Sequence, residues 1–297
     1  MIISCAIPIL VVAMYGVLAP PISRSARPLV AIWMLSAGAL ALAVCEVAAL
    51  AVVVALGAGQ LAPFARLGHW SARAIGMESP FQTWSIWIAA ILLAALAVRT
   101  VRATWMQGRR LQSAWSASRA QPSGLVVLAD DAPFAYAVPG WPGRVVVSRG
   151  LLRSLDRSGR QAMLAHEQAH LAERHDLHQF AATVATALNP FLFASPAALN
   201  LACERRADEV AARVVGDRRV VARAIATAVH PQPGTVAWSA TGADVPLRVE
   251  ALLSPPRDNR LASTLLLVAV VLAVAGSTAC VLWLGHDLRS VVIAARH

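Results

Sequence analysis

The sequence predicts a mostly α-helical membrane protein that carries one small α+β domain between its third and fourth membrane spans. The 297 residues are 58% hydrophobic and only 14% charged, with a mean hydropathy of +0.60. Such a composition is unlike that of an ordinary soluble protein, and apolar helices that cross a bilayer explain the excess. One long polar stretch, in which three short strand-like segments occur together, interrupts the apolar runs.

Four apolar segments come near the roughly 20 residues that a helix needs to cross the hydrocarbon core. They are Ile2 to Leu18, Leu29 to Leu56, Trp84 to Val98 and Leu261 to Leu284. The first lies where a signal peptide would, but it lacks a basic start and a small-residue cleavage site, so we interpret it as a span. Glu46 lies inside the second span, where a carboxylate is a functional candidate. Contact with a neighbouring helix explains it equally well.

The arginines predict the orientation of these spans. All 26 basic residues are arginine, and they concentrate in the loop between the first two spans, after the third span and before the fourth. The positive-inside rule then places residues 99–260 in the cytoplasm and both termini outside. The net charge of +10 does not indicate nucleic acid, because the arginines follow the membrane instead of forming one basic stripe.

The polar stretch begins with a basic, tryptophan-containing helix, Thr100 to Ala120, that we expect to lie along the membrane surface. A break at residues 121–124 precedes three strands separated by Asp/Pro and Pro/Gly turns. The predicted strands are Leu125 to Ala129, Phe134 to Val138 and Arg144 to Ser148. The sequence therefore predicts a small sheet in front of a helical segment.

The helical segment begins with a short helix at Gly150, and a long helix follows from Ser158 to Leu188. The run Phe180 to Ala202 is uncharged and is interrupted by Pro190 and Pro196. It could form a hairpin on the domain or dip into the membrane. This run cannot cross the membrane once if the residues before it and after it contribute to the same functional site, because a single crossing would place them on opposite sides.

Residues 166–170 read His-Glu-Gln-Ala-His, the HExxH pattern. Residues four apart lie on one face of a helix, so His166 and His170 can offer two imidazole nitrogens to one metal ion. Catalytic zinc takes three protein ligands and keeps a position for water, and Glu204 is a suitable third ligand. Glu167 is a suitable general base. The sequence predicts one Zn²⁺ per chain.

The string HExxH also occurs by chance on solvated helix faces, but two features favour a metal site. Apolar neighbours indicate a semi-buried helix, where an unpaired charge is costly. Asp208 follows Glu204 by one turn and could accept the remaining ring N–H of His166, as carboxylates often do beside metals. Tyr136, His175 and His178 are candidates for an oxyanion donor, but a structural role fits each of them better.

The chain resembles the BlaR/MecR-type membrane metallopeptidases, with HtpX-type and prenyl-protein-type zinc peptidases as more distant relatives. The resemblance covers about residues 125–215. It includes the strands from Phe134 to Ser148, the HExxH helix, Arg174-His175-Asp176, Asn189-Pro190 and the stretch from Glu204 to Val210. It implies a zincin-like domain in which His166, His170 and Glu204 bind zinc, Glu167 is the base and Asp208 orients a ligand.

The resembled family converts an external signal into proteolysis that removes a cytoplasmic transcriptional repressor. Its best-known members carry a penicillin-binding sensor domain after the last span, whereas only about a dozen residues follow Leu284 here. Direct β-lactam sensing through such a domain is therefore not expected. Ala207 also replaces the cysteine that often precedes the second acidic residue.

These observations predict three regions: spans at 1–98, a cytoplasmic zinc metallopeptidase domain at 99–260, and a span with a short outer tail at 261–297. The expected function is an integral-membrane zinc endopeptidase in signal-regulated proteolysis, with a BlaI-type repressor as the candidate substrate. The alternatives are an HtpX-type quality-control protease and a transducer without catalysis. The intact Glu167 argues against the last, because a scaffold needs no general base.

Overall fold

The computed structural model describes residues 2–79, 81, 83–118, 124–141, 143–228, 244–254 and 259–296. In this part of the chain, four helical stretches are long and apolar enough to cross a membrane, at Ala6–Ser25, Pro28–Gly59, Trp84–Ser113 and Arg260–Ala294. The four predicted spans are therefore confirmed as apolar helices. The sequence-predicted breaks at residues 121–123, and Arg257 before the fourth span, lie outside the described residues.

The described residues of the N-terminal region form six helices. They are α1 (Ile2–Ser25), α2 (Pro28–Trp33), α3 (Ala39–Gly59), α4 (Ala62–Gly68), α5 (Ala72–Glu78) and α6 (Thr83–Ser118), with a π-helical turn at Met34–Gly38 between α2 and α3. Helix α6 continues from the third span through Thr100 without a break. The predicted helix from Thr100 is therefore confirmed as far as Ser118, as a direct continuation of the third span, since no proline or glycine pair interrupts the helical hydrogen bonds at Thr100. Its position along the membrane surface stays a prediction.

The three predicted strands form one sheet. Strands β1 (Gly124–Leu128), β2 (Ala135–Val138) and β3 (Arg144–Ser148) lie in the order β1-β3-β2. Strand β3 is central, parallel to β1 and antiparallel to β2. Its valines Val145, Val146 and Val147 are buried, which is typical of a central strand covered on both faces.

The helices after the sheet are α7 (Arg149–Ser154), α8 (Arg157–Ala172), α9 (His175–Leu188), α10 (Ser195–Val215), α11 (Arg218–Ala228), α12 (Val245–Leu253) and α13 (Arg260–Ala294). The helical pattern predicted from Ser158 to Leu188 is confirmed, but it is divided into two helices, α8 and α9. Arg174 has φ 51° and ψ 44°, a left-handed conformation that ends α8 and redirects the chain into α9. The sequence shows no glycine or proline at this break, so its pattern did not reveal it.

Helices α9 and α10 form a hairpin that packs among the membrane spans. Its turn contains Asn189 and a 3₁₀ helix at Pro190–Leu192. One apolar cluster joins the hairpin to α1, α2, α3 and α13; its fully buried members include Val12, Leu35, Leu42, Leu192 and Leu199. For residues 180–202 a hairpin is therefore confirmed, although it packs against the spans; the other alternative, that it dips into the membrane, stays a prediction.

Two contacts explain how the hairpin fits between the spans. A Cβ on Gly16 of α1 would lie 2.1 Å from the carbonyl oxygen of Phe191, so only glycine permits this approach. Asn189, 1% exposed, donates a side-chain hydrogen bond from Nδ2 to Glu46 in α3. Glu46 therefore contacts a neighbouring element inside the bundle, as the second interpretation of this residue expected.

Candidate metal centre

Helix α8 presents the HExxH residues to the interior of the domain. Asp156 caps its first turn, accepting a hydrogen bond from the backbone N–H of Gly159 at 2.6 Å. Ala162 and Ala165 pack one face of α8 into an apolar cluster with α7, α10, α11 and α12. His166 and Glu167 are buried, and His170 lies one turn later on the same face as His166.

Helix α10 brings Glu204 to the two histidines. His166 Nε2 lies 3.2 Å from His170 Nε2 and 3.4 Å from Glu204 Oε2. The distance from His170 Nε2 to Glu204 Oε1 is 3.5 Å. The ligand atoms of these three residues all lie within 4.8 Å of one another, so the group could hold a metal ion.

The donor set fits zinc. Atoms bound tetrahedrally at about 2.0–2.1 Å from one Zn²⁺ lie roughly 3.3 Å apart, close to the separations found here. Glu204 Oε2 is buried, 2.7 Å from Arg248 Nη1 and 3.4 Å from His166 Nε2, but neither contact has the geometry of a good hydrogen bond. A buried carboxylate oxygen without a hydrogen bond is costly, and coordination to a cation would compensate that cost.

Asp208 lies one turn beyond Glu204 and supports His166. Its Oδ1 is 2.9 Å from His166 Nδ1, so the proton of this imidazole can stay on Nδ1 and leave Nε2 for the metal. The structure thus brings Asp208 to the position expected from the sequence.

Arg248 of α12 completes this arrangement, and the sequence analysis missed it. Its Nε lies 2.9 Å from Asp208 Oδ2 and its Nη2 2.7 Å from Asp208 Oδ1, a two-pronged ion pair in which Arg248 is 5% exposed. The guanidinium fixes the carboxylate that holds His166 and also neutralises part of the charge of Glu204. Arg248 follows Asp208 by forty positions, and no local spacing indicates that they meet.

His175 supports the other histidine and was also missed in this role. Its Nδ1 lies 2.8 Å from His170 Nδ1, and the side chain is buried. Burial lowers the pKa of His175 to about 4, although the negative charge of Glu173 acts in the opposite direction. The ring is therefore neutral near pH 7. A neutral His175 can accept the Nδ1 proton of His170, which leaves His170 Nε2 for the metal.

The pKa values of the ligands reflect burial and mutual charge. Burial and the charge of His166 lower the pKa of His170 to about 3. Burial works against protonation of His166, but the nearby carboxylates of Asp208 and Glu204 raise its pKa to about 10. Burial alone would raise the pKa of Glu204, yet His166 and Arg248 hold it well below its usual range. The carboxylates that favour a proton on His166 would also favour a metal cation in its place.

Glu167 lies beside the ligands without belonging to the group of three. Burial raises the pKa of Glu167 to about 7, partly offset by the charge of His166. The backbone N–H of Ala137 in β2 donates a hydrogen bond to its carboxylate. A carboxyl group with a pKa near neutrality can accept a proton and return it, as a general base and acid must.

The remaining sequence candidates lie elsewhere. His178 Nδ1 is 2.8 Å from Ser36 Oγ, and its ring meets Trp33 edge-on at 4.7 Å between centroids. Tyr136 stacks on Phe134 within the sheet. Neither residue joins the group of three ligands.

Comparison with known families gives one result. Residues 100–202 match the model of peptidase family M48. This region, roughly a third of the chain, contains the second half of α6, the sheet, α7, α8, α9 and the first part of α10, and it ends two residues before Glu204.

M48 peptidases are zinc metalloproteases, so the match and the group of His166, His170 and Glu204 together support a membrane-type metallopeptidase. The match does not distinguish a BlaR/MecR-type from an HtpX-type enzyme. No curated protein and no solved structure matches the chain.

Proposed function

We propose that the protein is an integral-membrane zinc endopeptidase that acts in signal-regulated proteolysis, with a cytoplasmic transcriptional repressor as its substrate. The position of Glu167 supports enzymatic activity. Its carboxylate is buried beside His166, His170 and Glu204 and accepts a hydrogen bond from the N–H of Ala137. A binding scaffold would need neither a base at this place nor its hydrogen bond.

The chemistry assigns a role to each residue. When bound, zinc supplies an open coordination position and polarises the substrate carbonyl. Glu167 accepts a proton from the attacking water and passes it to the leaving amine. His166 and His170 keep their Nε2 atoms aimed at one point because Asp208 and His175 hold the opposite sides of their rings.

Strand β2 is suited to hold the substrate. It lies at one edge of the sheet, and the N–H of Ala137 points away from β3 to Glu167. An extended peptide added along this edge would run past the general base. A flexible segment of a repressor could adopt that conformation.

The regulatory part of the proposal rests on contacts between the spans and the helices of the metal centre. Helix α9, which carries His175, packs against α3 and α6, and α10, which carries Glu204, packs against α1 and α2. Glu46 and Asn189 join α3 to the turn between these two helices. A movement of the spans would therefore reach two helices that position the ligands.

Peptide mapping in cells tests the proposal directly. New N-termini that appear with the wild type and are absent with Glu167→Gln should fall within cytoplasmic proteins, a transcriptional repressor among them. Cuts spread over many misfolded membrane proteins would favour quality control instead. Identical peptide sets with both forms would reject proteolysis as the function.

The orientation of the metal centre can be tested separately. Single cysteines at Ser154 and Arg73, both exposed, should react differently with an impermeant maleimide in intact cells when the native cysteines are replaced by alanine. The positive-inside rule places Arg73 outside and Ser154 inside, so we expect labelling only at Arg73. Labelling of Ser154 from outside would exclude a cytoplasmic repressor as the substrate.

A further inference from the structure

A cavity lies between the ends of the spans and the helices α10 and α12. Its volume is about 420 Å³, within the usual range for small-ligand pockets. Its walls include Arg24 from the last turn of α1, Arg27 from the α1–α2 loop, Arg205 from α10, and Leu247 and Ala251 from α12. None of these residues belongs to the group that could hold the metal.

Arginine dominates the charge of this cavity. Among the described residues, four arginines line it, against two acidic residues, Glu209 and Glu250. Glu209 is already paired, because its Oε2 lies 2.8 Å from Arg218 Nη1. Arg218 also donates to the carbonyl oxygens of Ala251 and Leu252, so this pair joins α10, α11 and α12. Glu250, which is exposed, lines the cavity together with Arg24, Arg27 and Arg205.

Arg24, Arg27 and Arg205 line the same cavity. Arg205 Nη1 donates a hydrogen bond to the backbone carbonyl oxygen of Arg24 at 2.7 Å. The side chains of Arg24 and Arg27 are exposed. Guanidinium groups bind phosphate oxygens strongly through paired N–H donors.

The cavity also lies at the level where the spans end. Helix α1 ends at Ser25, α2 starts at Pro28 and α13 starts at Arg260. The backbone N–H of Arg27 donates to Ser263 Oγ at 2.8 Å, so these span ends meet. Lipid phosphates occupy this level of a bilayer, and basic pockets between spans on the cytoplasmic side bind anionic headgroups.

We propose that this cavity binds the phosphate group of an anionic phospholipid. The bound headgroup also stabilises α12, because one side of that helix lines the cavity while Arg248 on the other side holds Asp208 and Glu204. Lipid binding itself does not depend on peptidase activity, so it can be measured whether or not a substrate is known.

The test compares thermal unfolding of the purified full chain in detergent with three additions. Phosphatidylglycerol should raise the midpoint, while phosphatidylcholine and inorganic phosphate at the same concentration should have much smaller effects. In the double variant Arg24→Gln/Arg27→Gln, the apparent affinity for phosphatidylglycerol should fall about fivefold for each arginine removed. Both side chains are exposed, so the variant should fold.

The matched control is Arg102→Gln/Arg110→Gln, which removes the same charge from exposed positions of α6 outside the cavity. It should keep the affinity of the wild type. Equal losses in both double variants would reject the cavity in favour of general charge attraction. Equal stabilisation by phosphatidylcholine would reject an anionic headgroup, and equal stabilisation by inorganic phosphate would reject lipid as the source of the phosphate.

Discussion

Glu167→Gln should lower the rate of peptide cleavage by about 10²- to 10⁴-fold and leave the zinc content unchanged. The substitution keeps the size of the side chain but removes the carboxylate that accepts the proton of the attacking water. Zinc should remain, because Glu167 is outside the group formed by His166, His170 and Glu204. The rate can be measured on fluorescent casein, and zinc by elemental analysis of the same preparation.

The neighbouring position provides the control. Gln168 is exposed on the same turn of α8, so Gln168→Ala should cleave casein like the wild type. Cleavage by Glu167→Gln at the wild-type rate would show that another group accepts the proton. Loss of zinc from Glu167→Gln would mean that its carboxylate supports the metal, which the geometry does not indicate.

Much of the candidate site could be predicted because its residues recur at helical spacing. His166 and His170 are four apart, as are Glu204 and Asp208, and residues four apart share a helix face. The spans could be predicted for a similar reason, since a bilayer imposes a length and a composition that are visible in a single segment.

The supporting residues could not be predicted, because their contacts depend on how separate elements pack. His175 reaches His170 only because Arg174 adopts a left-handed conformation, which brings α9 back toward α8. Arg248 reaches Asp208 from a helix forty positions later. An isolated histidine or arginine carries no periodic signal, and in the sequence Arg248 is one arginine among 26 basic residues.

The hairpin of α9 and α10 shows a related limit. Its apolar composition indicated burial but not its partner, because membrane spans and a soluble core bury the same residue types. In the structure Asn189 pairs with Glu46 of α3, so the partner of the hairpin is the bundle of spans. These two residues are 143 positions apart, so no local pattern predicts their contact. Polar residues inside an apolar bundle find such partners because an unpaired group there is costly.

Removal of any one metal ligand should have the largest effect on metal content. His166→Ala, His170→Ala and Glu204→Ala should each reduce zinc from about one per chain to a small fraction, because two remaining ligands no longer define the three-ligand site. Asp208→Asn and His175→Phe keep all three ligands but lose a partner that orients one imidazole. Their zinc affinity should fall by about 10- to 100-fold, measured by competition with a chelator.

His178→Gln is the matched control, because His178 belongs to the same helix as His175 but contacts Ser36 and Trp33 instead of the ligands. It should bind zinc like the wild type. A large loss of zinc in the ligand variants, a smaller loss in Asp208→Asn and His175→Phe, and no loss in His178→Gln would distinguish a specific metal site from nonspecific binding of zinc by surface histidines. If His178→Gln lost as much zinc as His170→Ala, or if all variants kept one zinc per chain, the metal would have to be bound elsewhere.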